Sequence, residues 1–243
     1  VAVLVLIIRF VKNIVISRVL EPEFRGVWGL LNVIPDVLVS VGLFGLGASI
    51  TYHVGKGKLS AGQALGAVLG ASLLLGLPLG LAAGGLIDRG VFWNREEGGL
   101  LAPHLPVIVA IIPFFCLRLL GNAFLLGSGR IAQLNLCRLF ESLCPLLLFL
   151  AFLFPLGFGS LDAAVYGWFW AMIAASLVPL LPLPSVVYPP RMPGAALSGP
   201  AGFGLPAHPG SALPLLFLRV YMLFIASLLL PAHLAYYFVA VSI

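Results

Sequence analysis

The stretch from Val27 to Tyr52 carries a single charge, Asp36, among apolar and small residues. At about 1.5 Å of rise per residue, a helix of this length crosses a hydrocarbon core about 30 Å thick. Such a run leaves a chain few options. In lipid every backbone amide and carbonyl must be paired within the protein, so only helices and closed barrels span. A barrel strand needs only about ten residues and alternates in polarity, which this stretch does not do. Comparable apolar runs recur at 61–87, 105–126, 133–154, 162–183 and 205–230. Residues 1–18 read as part of a first helix, and those from Tyr236 onward as the start of an eighth. Composition agrees: 61% of residues are hydrophobic and 9% charged, with a mean hydropathy of +1.15, where soluble domains carry roughly 25% charged residues. The expectation is an all-α polytopic membrane helical bundle of seven helices and part of another. Because the chain starts and stops inside apolar runs, it also reads as a fragment.

The segments between the runs carry turn and charge signals. A short polar turn, Glu21 to Arg25, precedes the second helix, and Gly55-Lys56-Gly57-Lys58 closes it. Asp88 to Pro103 is a polar loop containing Arg95-Glu96-Glu97, and Gly127-Ser128-Gly129-Arg130 ends the fourth helix. Residues 184–204 are rich in Pro and Gly with Arg191 as their one charge, and read as a linker between two bundles. If the first helix exits outward, the inner loops hold Lys56, Lys58, Arg130 and Arg191 without an acid. The outer loops then hold Arg18, Arg25, Arg89 and Arg95, offset by Glu21, Glu23, Asp88, Glu96, Glu97 and Asp162. Lys and Arg alone are four against four, so this orientation leans on the compensating acids. In the third helix Gly62, Gly66, Gly70 and then Gly76, Gly80, Gly84 form two ladders at every fourth position, which allow close helix contact in lipid.

Five charges stand several residues from any loop: Arg9, Lys12, Asp36, Arg118 and Arg219. Facing lipid, each would cost roughly 2.5 to 3.5 kcal/mol, and together more than about 12 kcal/mol, comparable with a whole domain's stability. They must face one another or water, and the simplest arrangement is a polar cavity between helices. Four of the five are cations, so the cavity suits an anion, and Arg in particular binds phosphate oxygens in a bidentate way. Asn32, Asp36 and Ser40 recur every fourth residue and form one polar stripe. Asp36 is read equally as a site residue or as a counter-ion for Arg9 or Lys12 that holds two helices together. Arg118 and Arg219 have no acid within four residues on their own helices, which favours a substrate-binding role. Arg138, near the inner end of the fifth helix, has Glu141 three residues on, a spacing that allows an ion pair within that helix, and it reads as structural.

Other chemistry is excluded or unsupported. Neither a Walker motif nor His-Glu-x-x-His occurs, and no basic cluster with interleaved aromatics suggests nucleic acid. Cys116, Cys137 and Cys144 lie in apolar segments without metal spacing, and His53, His104, His208 and His233 are scattered over different segments. No metal, resident cofactor or catalytic residue is expected, and transport is favoured over enzymatic work.

Short motifs strung along the chain resemble the polysaccharide flippases of the multidrug/oligosaccharidyl-lipid/polysaccharide exporter superfamily. They are Ser17-Arg18, Glu23-Phe24-Arg25-Gly26, Gly45-Leu46-Gly47 with Ile50 and Tyr52, and Gly55-Lys56-Gly57-Lys58. Farther on come Gly127 to Arg130 with Asn135, 203–207 with Gly210-Ser211, and Tyr237 with 239–242. The resemblance implies a first six-helix lobe at 1–183, a cytoplasmic linker at 184–204 and the start of a second lobe at 205–243. It implies a multi-pass protein of the bacterial inner membrane that moves undecaprenyl-pyrophosphate-linked oligosaccharide across the bilayer by alternating access through a cationic cavity. It further implies coupling to an ion gradient or membrane potential, and polysaccharide polymerase machinery as a partner besides lipid. The family tends to read Tyr-Arg-x-Asp at helix seven, where this chain has Leu218 and Tyr221 about Arg219. The alternatives are a drug or cation antiporter of the same superfamily, a membrane glycosyltransferase acting on polyprenyl-linked sugar through the acidic loop at 88–97, and a scaffold with all its buried charges paired.

Overall fold

A computed structural model describes residues 2–90 and 102–180, together with Gly204, Pro206, Gly210, Leu213, Tyr221, 223–225 and 233–237. The protein is an all-α, multi-pass membrane bundle, and no strand occurs among the described residues. Among the described residues its helices include α1 (Ala2–Val19), α2 (Pro22–Gly42), α3 (Leu46–Gly55), α4 (Ala61–Asp88), α5 (Leu105–Gly127), α6 (Ile131–Leu153) and α7 (Ser160–Leu177). A 3-10 turn at Ala102–His104 leads into α5, and another at Val178–Leu180 follows α7. Five of these stretches are long and apolar enough to cross a membrane: α2, α4, α5 and α7 with their 3-10 turns, and α6. α1 is about 27 Å long but carries Arg9, Lys12 and Arg18. The linker at 184–203, the acidic loop residues Arg95 to Glu97 and most of segments seven and eight lie outside the described residues, as does Arg219.

Local chemistry sets the helix ends. Pro22 stands at the first position of α2, where its missing amide hydrogen costs nothing, so the helix begins earlier than the polar turn suggested. Ser60 caps α4 by accepting from the Gln63 amide at 3.3 Å, while Gln63 Oε1 accepts from the Ser60 amide at 3.1 Å. The long second run is not one helix. It breaks after Gly42, where Phe44 (φ 46°) and Gly45 (φ 74°) turn left-handed before α3 restarts. Hydropathy continues through this break because its residues remain apolar.

α5 is the hub, touching every other membrane helix except α1 extensively, and α4 most of all. The α4 contact shows how proline and glycine cooperate. Pro113 cannot donate to the Val109 carbonyl one turn earlier, and that carbonyl lies against Gly80, where a Cβ would stand 2.6 Å from it. A Cβ on Gly76 would be 2.6 Å from Pro113 Cα, and one on Gly84 2.9 Å from the Val109 side chain. The second glycine ladder of α4 is thus the surface on which α5 lies. Gly167 of α7 packs on Phe149 of α6 in the same way, and Gly127 of α5 on Thr51 of α3. Thr51 Oγ1 also donates across to the Ala123 carbonyl at 3.0 Å. Outward, Leu73, Leu74, Leu77 and Leu81 of α4 and Leu136, Phe140 and Leu147 of α6 are exposed, as lipid-facing side chains must be.

Candidate functional site

Among the described residues, a larger and a smaller cavity adjoin between the helices. The larger, about 1070 Å³, is lined by the first turns of α1 (Ala2, Val5, Leu6), by Thr51 and Tyr52 of α3, and by residues of α5 and α6 near their connecting turn. Its walls are largely apolar, with Asn122, Asn135 and Arg138 among them. The smaller, about 280 Å³, is lined by Lys12, Asn32, Asp36, Phe115, Pro145 and Trp168, among others. Arg9, Arg118 and Glu141 line both, so they stand where one chamber meets the other.

Arg118 is fixed from two sides. Its Nη1 donates to Glu141 Oε2 at 3.0 Å, and its guanidinium lies 4.8 Å from the centre of the Phe115 ring. The other carboxylate oxygen of Glu141 accepts from Asn122 Nδ2 at 2.8 Å. Asn122 is one turn beyond Arg118 on the same helix face, so both carboxylate oxygens are held by α5. Among the described residues, Arg118 Nε and Asn122 Oδ1 are buried and have no hydrogen-bond partner. From α1, Arg9 Nε donates to Ser142 Oγ at 3.3 Å, and that hydroxyl donates back to the Arg138 carbonyl at 2.9 Å. Adjacent residues of α6, Glu141 and Ser142, thereby tether two separate helices. In the wall of the small chamber Phe115 packs edge-on against Trp168, with ring centres 6.1 Å apart, and Trp28 packs on Trp168 likewise at 5.7 Å.

Of the sequence-predicted site residues, Arg9, Lys12, Asp36 and Arg118 line one cavity, and Arg219 lies outside the described residues. Two expectations are corrected. Arg118 has an acidic partner, supplied by the neighbouring helix, and Glu141 bonds to α5 instead of pairing with Arg138 along α6. The sequence held the signal. Arg118 lies eleven residues before Gly129 and Glu141 eleven residues after Arg130, so a hairpin folded at that turn sets them at equal depth. Arg25 is also displaced from its expected loop: it is in the first turn of α2, only 6% exposed, with Nε unpartnered among the described residues. In the polar stripe of α2, Asn32 donates to the Trp28 carbonyl at 2.8 Å and Ser40 to the Asp36 carbonyl at 2.6 Å, so both satisfy themselves on their own helix. Among the described residues, no group of three His, Cys, Asp or Glu side chains could hold a metal ion.

Among the described residues, the lining of the two chambers comprises four cations (Arg9, Lys12, Arg118, Arg138) and two acids (Asp36, Glu141), a surplus of two positive charges. Compared with known proteins, the chain matches no family model and has no significant match to a curated protein or a solved structure.

Proposed function

We propose that this chain belongs to a transporter that moves a polyprenyl-diphosphate-linked oligosaccharide across the bacterial inner membrane for cell-surface polysaccharide synthesis. The observation that supports this reading most is the convergence of Arg9, Lys12 and Arg118 beside a large apolar chamber. A polyprenyl diphosphate has both matching parts, a long apolar chain and an anionic group able to accept several charge-assisted hydrogen bonds. Substrate enters from the end carrying Lys56 and Arg130, the inner face on the charge reading, and leaves outward when a second lobe rocks against the first. Residues 1–183 act as the first lobe, 184–204 as the linker and 205 onward as the beginning of the second. An ion gradient or the membrane potential drives the cycle, and the polymerase that consumes the exported glycan acts beside it.

Replacing Arg118 or Arg219 by Ala in the full protein should abolish delivery of lipid-linked glycan to the outer leaflet while membrane insertion stays normal. Undiminished delivery in both variants would refute the cationic-cavity reading. Cation or drug antiport within the same superfamily has one observation in its favour, the two acids Asp36 and Glu141 in the cavity wall. It would show itself as cation-coupled drug efflux, lost on replacing either acid and indifferent to glycan supply.

A further inference from the structure

We infer that Glu141 occupies the place of the substrate's anionic group, and that the cluster of Arg118, Glu141 and Asn122 is a gate between the two chambers that an incoming diphosphate opens by displacing the carboxylate. The inference deepens the function proposed above and rests on it. A carboxylate held through each oxygen, by Arg118 at 3.0 Å and Asn122 at 2.8 Å, shows that α5 presents a clamp for a planar or tetrahedral oxyanion. The clamp is not saturated: Arg118 Nε is buried and has no partner among the described residues, and a diphosphate brings more acceptor oxygens than one carboxylate. Position gives the displacement its consequence. Arg118 and Glu141 line both chambers, so parting them joins the large apolar space to the small one beyond it.

Two features make the movement inexpensive. Pro145 has no amide hydrogen for the Glu141 carbonyl, so α6 lacks a backbone hydrogen bond at the residue that must swing. Arg138, exposed in the larger chamber and three residues before Glu141, offers the released carboxylate a second partner on its own helix. The pair that the i, i+3 spacing allows is then the open state, and the pair across the hairpin the closed one. Phe115 holds the Arg118 guanidinium in place when its acid leaves. Among the described residues, the remaining charges about the gate are Arg9 and Lys12 of α1 and Asp36 of α2.

The test measures binding of inorganic pyrophosphate to the full chain in lipid nanodiscs. Glu141→Gln keeps an acceptor for Asn122 but removes the competing charge, and should tighten binding about tenfold. Arg138→Ala should weaken binding several-fold when Glu141 is present, because the displaced acid loses its second partner, and should have no effect in the Glu141→Gln background. Unchanged or weaker binding in Glu141→Gln would overturn the inference, as would an Arg138→Ala effect of equal size in both backgrounds, which would make Arg138 a direct contact. If Glu141→Gln does not fold, Glu141→Asp, one methylene too short for both donors, should also bind more tightly. Failure of the underlying reading looks different: Arg118→Ala would then bind pyrophosphate as well as the unmodified chain does.

Discussion

Arg118 carries an ion pair, an aromatic contact and an unpartnered donor at once, and its replacement by Lys separates charge from geometry. Lys keeps the charge but has neither the planar fork nor the flat face that rests on Phe115. Glycan export in Arg118→Lys should fall roughly tenfold, with normal insertion, in a quantitative outer-leaflet labelling assay. Export at the unmodified level would mean that a point charge suffices. Arg25 is the opposite case, a buried cation with an unsatisfied Nε and no acid bonded to it among the described residues. Replacing such a charge by an apolar residue of similar length relieves desolvation, so Arg25→Met should gain about 1–2 kcal/mol in thermal unfolding in detergent. A loss of stability would mean that the guanidinium is paired in the membrane. At this scale the sequence was informative about which side chains converge and poor about who pairs with whom. The expense of a charge in lipid suffices to bring Arg9, Lys12, Asp36 and Arg118 to one cavity. Choosing Arg118 as the partner of Glu141 requires the hairpin register, and the nearer Arg138 hides it.

Elements were legible where the chain punctuates itself. Gly129 beside Arg130 marked an end in the sequence; Ser60 with Gln63 and Pro22 mark theirs by mechanisms that need no tertiary context, although the polar turn at Glu21 to Arg25 masked the start of α2. The break between α2 and α3 was not legible as hydrophobicity, because Leu43 and Phe44 are as apolar as the helices around them. Its signal is conformational. Gly45 sits at φ 74°, and a Cβ there would collide with the Gly204 carbonyl, so an L-residue meets backbone strain and a backbone clash together. Gly45→Val should therefore lower stability by about 1–3 kcal/mol or more in thermal unfolding. The α4 ladder makes a parallel case without strain, since Gly76 is helical and only space is at issue. Gly76→Val places a Cβ 2.6 Å from Pro113 Cα and should cost about 1–3 kcal/mol, whereas Gly85→Ala on the same helix meets nothing and should be neutral or slightly stabilising. Equal effects of the two would dismiss the close α4–α5 packing.

The molecule as a whole is a bundle in which α5 is wrapped by α2, α3, α4, α6 and α7, while α1 closes the cavity from the side of α6. That plan explains why the cavity is cationic at one end and apolar at the other: the charges stand at mid-depth, and the first turns of α1 supply the apolar wall. Alkaline phosphatase fused after Gly129 should be inactive and after Gly157 active, if the basic turns face inward. The reverse pattern would invert the direction of the transport proposed above. The class of fold was open to inspection in the sequence because the bilayer permits so few alternatives. The shape of the cavity was not, because it depends on which helix faces meet. The most direct measurement reconstitutes the full protein in proteoliposomes and follows a fluorescent polyprenyl-diphosphate sugar between leaflets. The unmodified protein should move it and Arg118→Ala should not, with both inserted equally. Equal movement by the two, or none by the unmodified protein under an imposed gradient and potential, would contradict a transporter built around a cationic cavity.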